Sequence, residues 1–429
     1  MKQKNHNFRL AEDTVFSVED NLSNVFQERS NQVFYRLDNI LKIFKEEKVS
    51  TSHFNQSSGI GHDDISREKI DEVFAKLFLA QKAAVRLQFV SGTHAISSVL
   101  FGILRPGDLM LSITGQPYDT LEEVIGIRGK GKGSLIDFGI KYRQINICEI
   151  IDSFEEKLVD FFKNNSCKLV FIQKSCGYSW RKSLTNHQIE NICSLIHSVN
   201  PNCICFVDNC YGELVEDSEP INKGANIIAG SLIKNLGGTI VPTGGYVAGD
   251  SDLVEMACSR LTSPGIGSSA GINFGLGRLI LQGLFLAPQM VQESLKGADM
   301  VAAVFQKLGF KVLPEPGTYR SDIIQSVRLN DPYLVQKVCQ SFQNSSPVDS
   351  FLNIFPSPMN GYDSQLLMSG GTFIEGSTSE FSADAPLREP YNIFVQGGVH
   401  IAHIKIALIQ LLYELLEENL ITKESLMSS

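Results

Sequence analysis

Residues 203–249 read CICFVDNCYGELVEDSEPINKGANIIAGSLIKNLGGTIVPTGGYVAG. Two apolar runs, CICFVD ending at Asp208 and ANIIAGSLIKN before GGYVAG, end at Asp or Asn. Such unbroken runs suit strands buried on both faces, which is the pattern of a parallel sheet. The rhythm continues outward: AAVRLQFV into SGTHAISSVLFGIL, LMLSITG into QPYDTLEEVIG, KLVFIQ into KSCGYSW, and CICFVD into NCYGELVE, each an apolar run leading into a helix-like segment. This alternation predicts an α/β fold, with a large, mainly parallel sheet covered by helices on both faces. Ligands of such sheets sit outside the carboxyl ends of the strands, so the residues just after each run are the ones to weigh.

The rest of the chain is arranged around that sheet. Residues 1–70 read as an N-terminal helical arm, with Val33, Leu37, Ile40, Leu41 and Phe44 at helical spacing and a Ser/Gly/His-rich loop behind them. Residues 71–285 make the large domain. Residues 286–429, with GFKVLPEP, a second glycine-rich stretch and a final amphipathic helix from about His400 to Leu420, read as a smaller C-terminal α+β domain.

Composition narrows the function classes. The 429 residues are 43% hydrophobic and 20% charged, with a net charge of -9, an ordinary globular balance. The acidic balance argues against a general grip on nucleic acid phosphates. No stretch approaches the length of a bilayer-spanning helix, and the first residues lack the apolar segment of a signal peptide. The nine cysteines are odd in number and scattered, unlike a secreted disulfide framework. The expectation is a cytoplasmic protein acting on a small molecule, with no nucleic-acid or membrane partner.

Lys234 is the most informative residue: between Gly224 and Gly249 it is the only charged one. A desolvated lysine must find a partner or lose its proton, and with a lowered pKa it is a nucleophile for carbonyl groups. The plain alternative is a strand-end lysine reaching to solvent. Asp208, 26 residues upstream, is spaced for a neighbouring strand end, one crossover away. The pair suits a carboxylate that holds a pyridinium nitrogen and a lysine that forms a Schiff base with pyridoxal phosphate; alone, Asp208 would be an N-cap. Ser91-Gly92-Thr93 opens a helix and offers a hydroxyl, a close backbone approach and free N–H groups to a phosphate. Tyr118 could stack on a planar ring, and Ser231 or His94 could reach the phosphate, or His94 could supply the stacking ring.

These residues, with SGTHAI, GKGKGSLIDFGIKY, IQKSCGYSWRKSLT, FVDNCYGELVE, GSLIKNLGGTIVPTGGYVAG, RLTSPGIG and SADAPLREPYNIFVQGG, resemble the fold-type I pyridoxal-phosphate enzymes, and within them the methionine gamma-lyase-like or aluminium-resistance-type lyases. The resemblance runs from about residue 57 to residue 398. It implies the PLP-dependent transferase-like fold, a pyridoxal 5'-phosphate cofactor, and elimination of a sulfur-linked leaving group from an amino acid, as by a cystathionine beta-lyase or a methionine gamma-lyase. It also implies Lys234 as the cofactor-bearing lysine, Asp208 at the pyridine nitrogen, Gly92 and Thr93 at the phosphate, Tyr118 over the ring, and a homodimer or homotetramer. Arg388, in the C-terminal domain, is the candidate for the substrate carboxylate, which a fork of donors suits. No metal is implied. An aminotransferase, a decarboxylase, or a cofactor-binding protein with little catalysis are the alternatives.

Two places depart from the family pattern. Ser58-Gly59-Ile60-Gly61-His62 stands where the family carries a tyrosine-bearing GYGY-like turn, and Gln173-Lys174-Ser175-Cys176-Gly177-Tyr178 has lost an arginine at Cys176. Other motifs fail on context. Gly126 to Lys132 mimics a P-loop but Gly133 replaces the magnesium-binding hydroxyl. Gly265 to Ala270, a loose dinucleotide fingerprint, and Gly267 to Gly271, a formal nucleophile elbow, both lack the preceding strand. Cys203, Cys205 and Cys210 lack zinc spacing and read as small core residues.

Overall fold

The computed structural model describes residues 6–149 and 154–427. Helices α1 (His6–Asn21) and α2 (Ser23–Glu46) come first, and α3 (Ile65–Phe78) leads into β1 (Lys82–Arg86). There follow α4 (Gly92–Ile103), β2 (Leu109–Ser112), α5 (Asp119–Ile125), β3 (Lys141–Gln144), α6 (Phe154–Asn164) and β4 (Leu169–Gln173). Next are α7 (Asn186–Val199), β5 (Ile204–Asp208), β6 (Ile227–Ser231), β7 (Gly245–Gly249) and α8 (Ser251–Leu261). The seven strands make one sheet in the order β1-β7-β6-β5-β4-β2-β3. From β6 to β3 the neighbours are parallel, whereas β7 is antiparallel to both β1 and β6.

Every residue of β2, β4, β5, β6 and β7 is buried, which is why these strands read as continuous apolar runs. Phe171, Phe206, Ala229 and Val247 from adjacent strands share a core with Ile96, Val99 and Leu100 of α4. Burial of a phenylalanine there contributes about 1.5–3 kcal/mol. Gln173 pairs with Asp208, and Asp208 with Ala229, so the carboxyl ends of β4 and β5 lie level and β6 runs about two residues further, to Ser231.

Two expected helices do not form. After β4, residues 174–180 form turns, and α7 begins only at Asn186, where Thr185 and Gln188 close a capping box. After β5, residues 209–216 form turns, with Tyr211 at φ 69° and Leu214 at φ 59°. Left-handed residues cannot continue a right-handed helix. The link to β6 is completed by a short 3-10 turn at Pro220–Lys223 instead of an α-helix.

Packing divides the chain into two units, Arg36–Ala287 and the described residues of Met1–Tyr35 with Pro288–Ser429. The long helix α9 (Gly277–Lys307) carries Pro288 within it. The second unit contains β8 (Lys311–Leu313), β9 (Gln325–Arg328), α10 (Pro332–Asn344), β10 (Leu366–Ser369), β11 (Ser382–Pro386), β12 (Asn392–Gln396) and α11 (Ile401–Glu417). Its sheet, in the order β10-β11-β12-β9-β8, is antiparallel throughout. Ala11, Val15 and Val18 of α1 share a core with Leu408, Leu411 and Leu412 of α11. The segment 1–70 that the sequence sets apart as an arm is therefore shared between the units, because the apolar face of α1 is buried against the C-terminal elements. Among the described residues no helix is long and apolar enough to cross a membrane.

Candidate active site

Asp208 closes β5 and Ser231 closes the adjacent β6, three residues before Lys234. Asp208 is buried, and its Oδ1 accepts the Cys210 N–H at 3.1 Å. Burial pushes its carboxyl above the usual aspartate range, against the pull of Lys234 and the Cys210 donors. Lys234 begins a 3-10 turn, Asn235–Gly237, and its Nζ lies 3.7 Å from the centre of the Tyr211 ring. Burial pulls the ammonium down, but Cys210, Tyr211 and Asp208 outweigh it and hold it above the ordinary lysine range. The lowered pKa expected from desolvation alone is thus reversed: nearby groups that favour the charged form supply more than burial removes.

The start of α4 meets these strand ends. Ser91 Oγ caps the helix by accepting the His94 N–H at 3.1 Å, leaving Gly92 and Thr93 in its first turn. A Cβ on Gly92 would sit 3.2 Å from Ser231 Cβ and 3.3 Å from Cys210 Sγ, so glycine is what lets the backbone come this close. Thr93 Oγ1 is 3.1 Å from Tyr118 Oη and 3.4 Å from Thr120 Oγ1. Tyr118 stands at the head of α5, its backbone N–H donating to Gln173 Oε1 at 3.0 Å. Burial first, then Asp208, hold its hydroxyl protonated. His94 packs edge-on to Phe89 and its Nδ1 accepts the Val90 N–H at 3.3 Å; burial lowers its pKa and favours the neutral ring.

Asp208, Lys234, Gly92, Thr93, Tyr118 and Ser231 are thus gathered around the ends of β5 and β6. Helix-start amides, two hydroxyls and an ammonium suit a phosphate and a carbonyl, and a buried carboxylate suits a basic ring nitrogen. The cradle beside Gly92, which a methyl group would crowd, fits such a group. Arg388 belongs to the other unit, exposed in the turn after β11 with its N–H on Pro386 O at 2.8 Å. Ile60 is 62% exposed, and His62 is exposed as well. Cys176 is buried, its N–H donating to Ser183 Oγ at 3.1 Å. A guanidinium does reach this loop, from Arg181, which donates to the carbonyls of Gln173 at 2.8 Å and of Ser175 and helps hold down the Asp208 carboxyl.

Behind the strand ends lies a buried polar layer that sequence reasoning missed. Lys174, fully buried, donates to Asn186 Oδ1 at 2.8 Å and pairs with Glu216 at 2.9 Å. Glu219 accepts from Asn209 Nδ2 and from the Leu214 N–H, each at 2.9 Å. Tyr246 Oη donates to Glu213 Oε1 at 2.8 Å. Asn235, the residue after Lys234, donates from Nδ2 to the carbonyls of Tyr211 at 3.0 Å and Glu213 at 2.8 Å. The only trace in the sequence is three glutamates, at 213, 216 and 219, directly after a strand-end aspartate.

The methionine gamma-lyase family model matches residues 11–416. A Bacillus subtilis (strain 168) protein, known as the uncharacterized protein YnbB, is 41% identical over 416 residues, 96% of this chain and 98% of its own. The crystal structure of a carbon-sulfur lyase involved in aluminum resistance, from Clostridium novyi NT, is 43% identical with a TM-score of 0.89, covering 95% of this chain and 96% of that one. At 17% identity and a TM-score of 0.60, the pyridoxal-5'-phosphate-dependent protein YhfS of Escherichia coli, with 92% of this chain and 97% of its own covered, shares the fold. With its fold-type I architecture and strand-end residues in place, the chain belongs to the methionine gamma-lyase family.

Proposed function

We propose that this chain is a pyridoxal-phosphate-dependent carbon–sulfur lyase that acts on a sulfur-containing amino acid. The observation that carries the reading is the placing of Asp208 and Lys234 at and after neighbouring strand ends, beside a helix start that Gly92 lets approach them closely. Gly92, Thr93 and Ser231 would hold the phosphate, Tyr118 the ring face, Asp208 the pyridine nitrogen and Lys234 the aldehyde carbon. Once bound, the cofactor supplies an electron-withdrawing ring that stabilises negative charge beside the substrate's amino group.

The chain's own groups govern the protons. Asp208 Oδ1 accepts the Cys210 N–H, a bond that favours the charged carboxylate over the acid. Lys234 Nζ is the amine placed to exchange a proton with a substrate, and the Asp208 charge and the Tyr211 ring favour its charged, donating form. Tyr118 and Thr93 share a hydrogen bond that steadies both at the helix start. Arg388, with its planar fork, is the group assigned to the substrate carboxylate.

Two measurements test the reading. The visible spectrum of the purified protein should show a cofactor band that borohydride abolishes and that Lys234→Ala lacks. Cystathionine, methionine or cysteine should then yield ammonia and a keto acid with no added acceptor. Turnover that appears only when a keto acid acceptor is supplied would identify an aminotransferase instead.

A further inference from the structure

Glu213 belongs to no role assigned so far, yet its carboxyl is fully buried two residues from Tyr211, whose ring lies over Lys234 Nζ. Oε1 takes the Tyr246 hydroxyl at 2.8 Å. A Cβ on Gly230, the residue before Ser231, would come within 2.6 Å of both Oε1 and Tyr246 Oη, so β6 is kept bare where the carboxyl rests. The Glu213 carbonyl is tied through Asn235 Nδ2 to the Lys234 turn. Oε2, together with the nearby-in-sequence Asn209 Oδ1 and with Asn235 Oδ1, has no hydrogen-bond partner among the described residues. Three buried acceptors without a donor are costly, and a proton on Oε2 would turn one of them into a donor.

We propose that Glu213 is a positioning residue of this site: clamped by Tyr246, it sets the Tyr211–Glu213 turn against Lys234 and controls the charge that the amine meets. The proposal rests on Lys234 being the cofactor-bearing lysine. Burial holds the carboxyl protonated up to about 8; its own backbone N–H, then the Tyr246 hydroxyl and Lys234, act against it, while Glu219 reinforces it. Cys210, also within reach, carries a thiol that burial and Asp208 keep protonated. Below that pH the amine faces the single charge of Asp208, and above it a second negative charge appears behind it.

Two readouts test this. In the infrared, the protein should carry a carboxylic-acid C=O band at pH 6.5 that disappears by pH 9.5 and is missing from Glu213→Gln at both. In the cofactor-loaded protein the visible spectrum should step near pH 8. Glu213→Gln should match the wild-type spectrum at pH 6.5 and lose the step, and Tyr246→Phe, which removes a donor to the carboxylate, should move the step to higher pH. A Glu213→Gln titration identical to wild type, or no infrared band in a protein with a normal cofactor spectrum, sinks the proposal alone. A wild-type chain that takes up no cofactor sinks the parent reading, and the lysine role of Glu213 with it.

Discussion

Lys234 and Tyr211 face each other at 3.7 Å, ammonium to ring centre, and the contact joins two strand ends: Tyr211 follows β5 and Lys234 follows β6. Tyr211 holds φ at 69°, a left-handed backbone that a non-glycine residue adopts only when its surroundings enforce it. Those surroundings are visible. Asn235 Nδ2 grips the Tyr211 carbonyl, so the turn carrying the ring and the turn carrying the amine are fastened to one another.

The ring therefore stabilises the charged amine. A desolvated cation–π contact contributes about 2 kcal/mol, so Tyr211→Leu should lower the pKa of Lys234 by roughly one or more. The check is the pH dependence of Lys234 acylation by a small amine reagent on the cofactor-free chain, followed by peptide mass spectrometry. A profile unchanged by the substitution would show that the ring does not bear on the charge.

Gly92 separates site from fold. A methyl group there would meet Ser231 Cβ at 3.2 Å and Cys210 Sγ at 3.3 Å, closing the approach of the helix start. Alanine is also a better helix former than glycine. Gly92→Ala should therefore weaken cofactor binding about tenfold or more, roughly 1.4 kcal/mol, and leave the unfolding midpoint of the cofactor-free chain unchanged. Equilibrium dialysis against the cofactor and thermal melts read the two effects; a drop in both would place the glycine in the fold instead.

The end of β5 was legible because CICFVD stops at Asp208, the last residue of the strand, whereas ANIIAGSLIKN runs on through Leu232 and Ile233 after β6 has ended at Ser231, because buried turn residues are as apolar as strand residues. Lys234 stood out as a lone charge in an apolar stretch. The polar layer was not legible, because NCYGELVEDSEP has the composition of a solvated turn or helix, and nothing local tells a buried glutamate from an exposed one. Its burial follows from partners far along the chain, such as Tyr246 for Glu213 and Lys174 for Glu216. For the same reason the sign of the Lys234 shift could not be read: desolvation was foreseeable, but the groups opposing it come from the turn after β5. The division of residues 1–70 likewise depended on where the apolar face of α1 finds cover.

Lys174 offers a stability test within that layer. Its ammonium, fully buried, has Glu216 at 2.9 Å and Asn186 Oδ1 at 2.8 Å. Removing one partner of a buried pair leaves an uncompensated charge and costs about 3–5 kcal/mol. Lys174→Met should lower urea stability by that order, and adding Glu216→Gln should restore part of it by removing the stranded charge. A double variant no more stable than Lys174→Met would show that the pairing energy is not what the single change lost.

Glu213 sets a pH signature on folding. Its folded carboxyl is pushed by burial from the ordinary 4.5 up to about 8, so the folded chain binds a proton that the unfolded chain releases. The stabilisation is fully present below about pH 4.5 and is lost progressively as pH rises to about 8. The slope approaches 1.36 kcal/mol per pH unit within that window. Glutamine has no such proton. Between pH 5 and pH 8 the urea midpoint of wild type should fall more steeply than that of Glu213→Gln, with the two curves running parallel above pH 8.5. Tyr246→Phe, which deprives the carboxylate of a donor, should extend the wild-type decline to higher pH. Parallel curves for wild type and Glu213→Gln from pH 5 onward would mean that the carboxyl is already ionised in the folded chain.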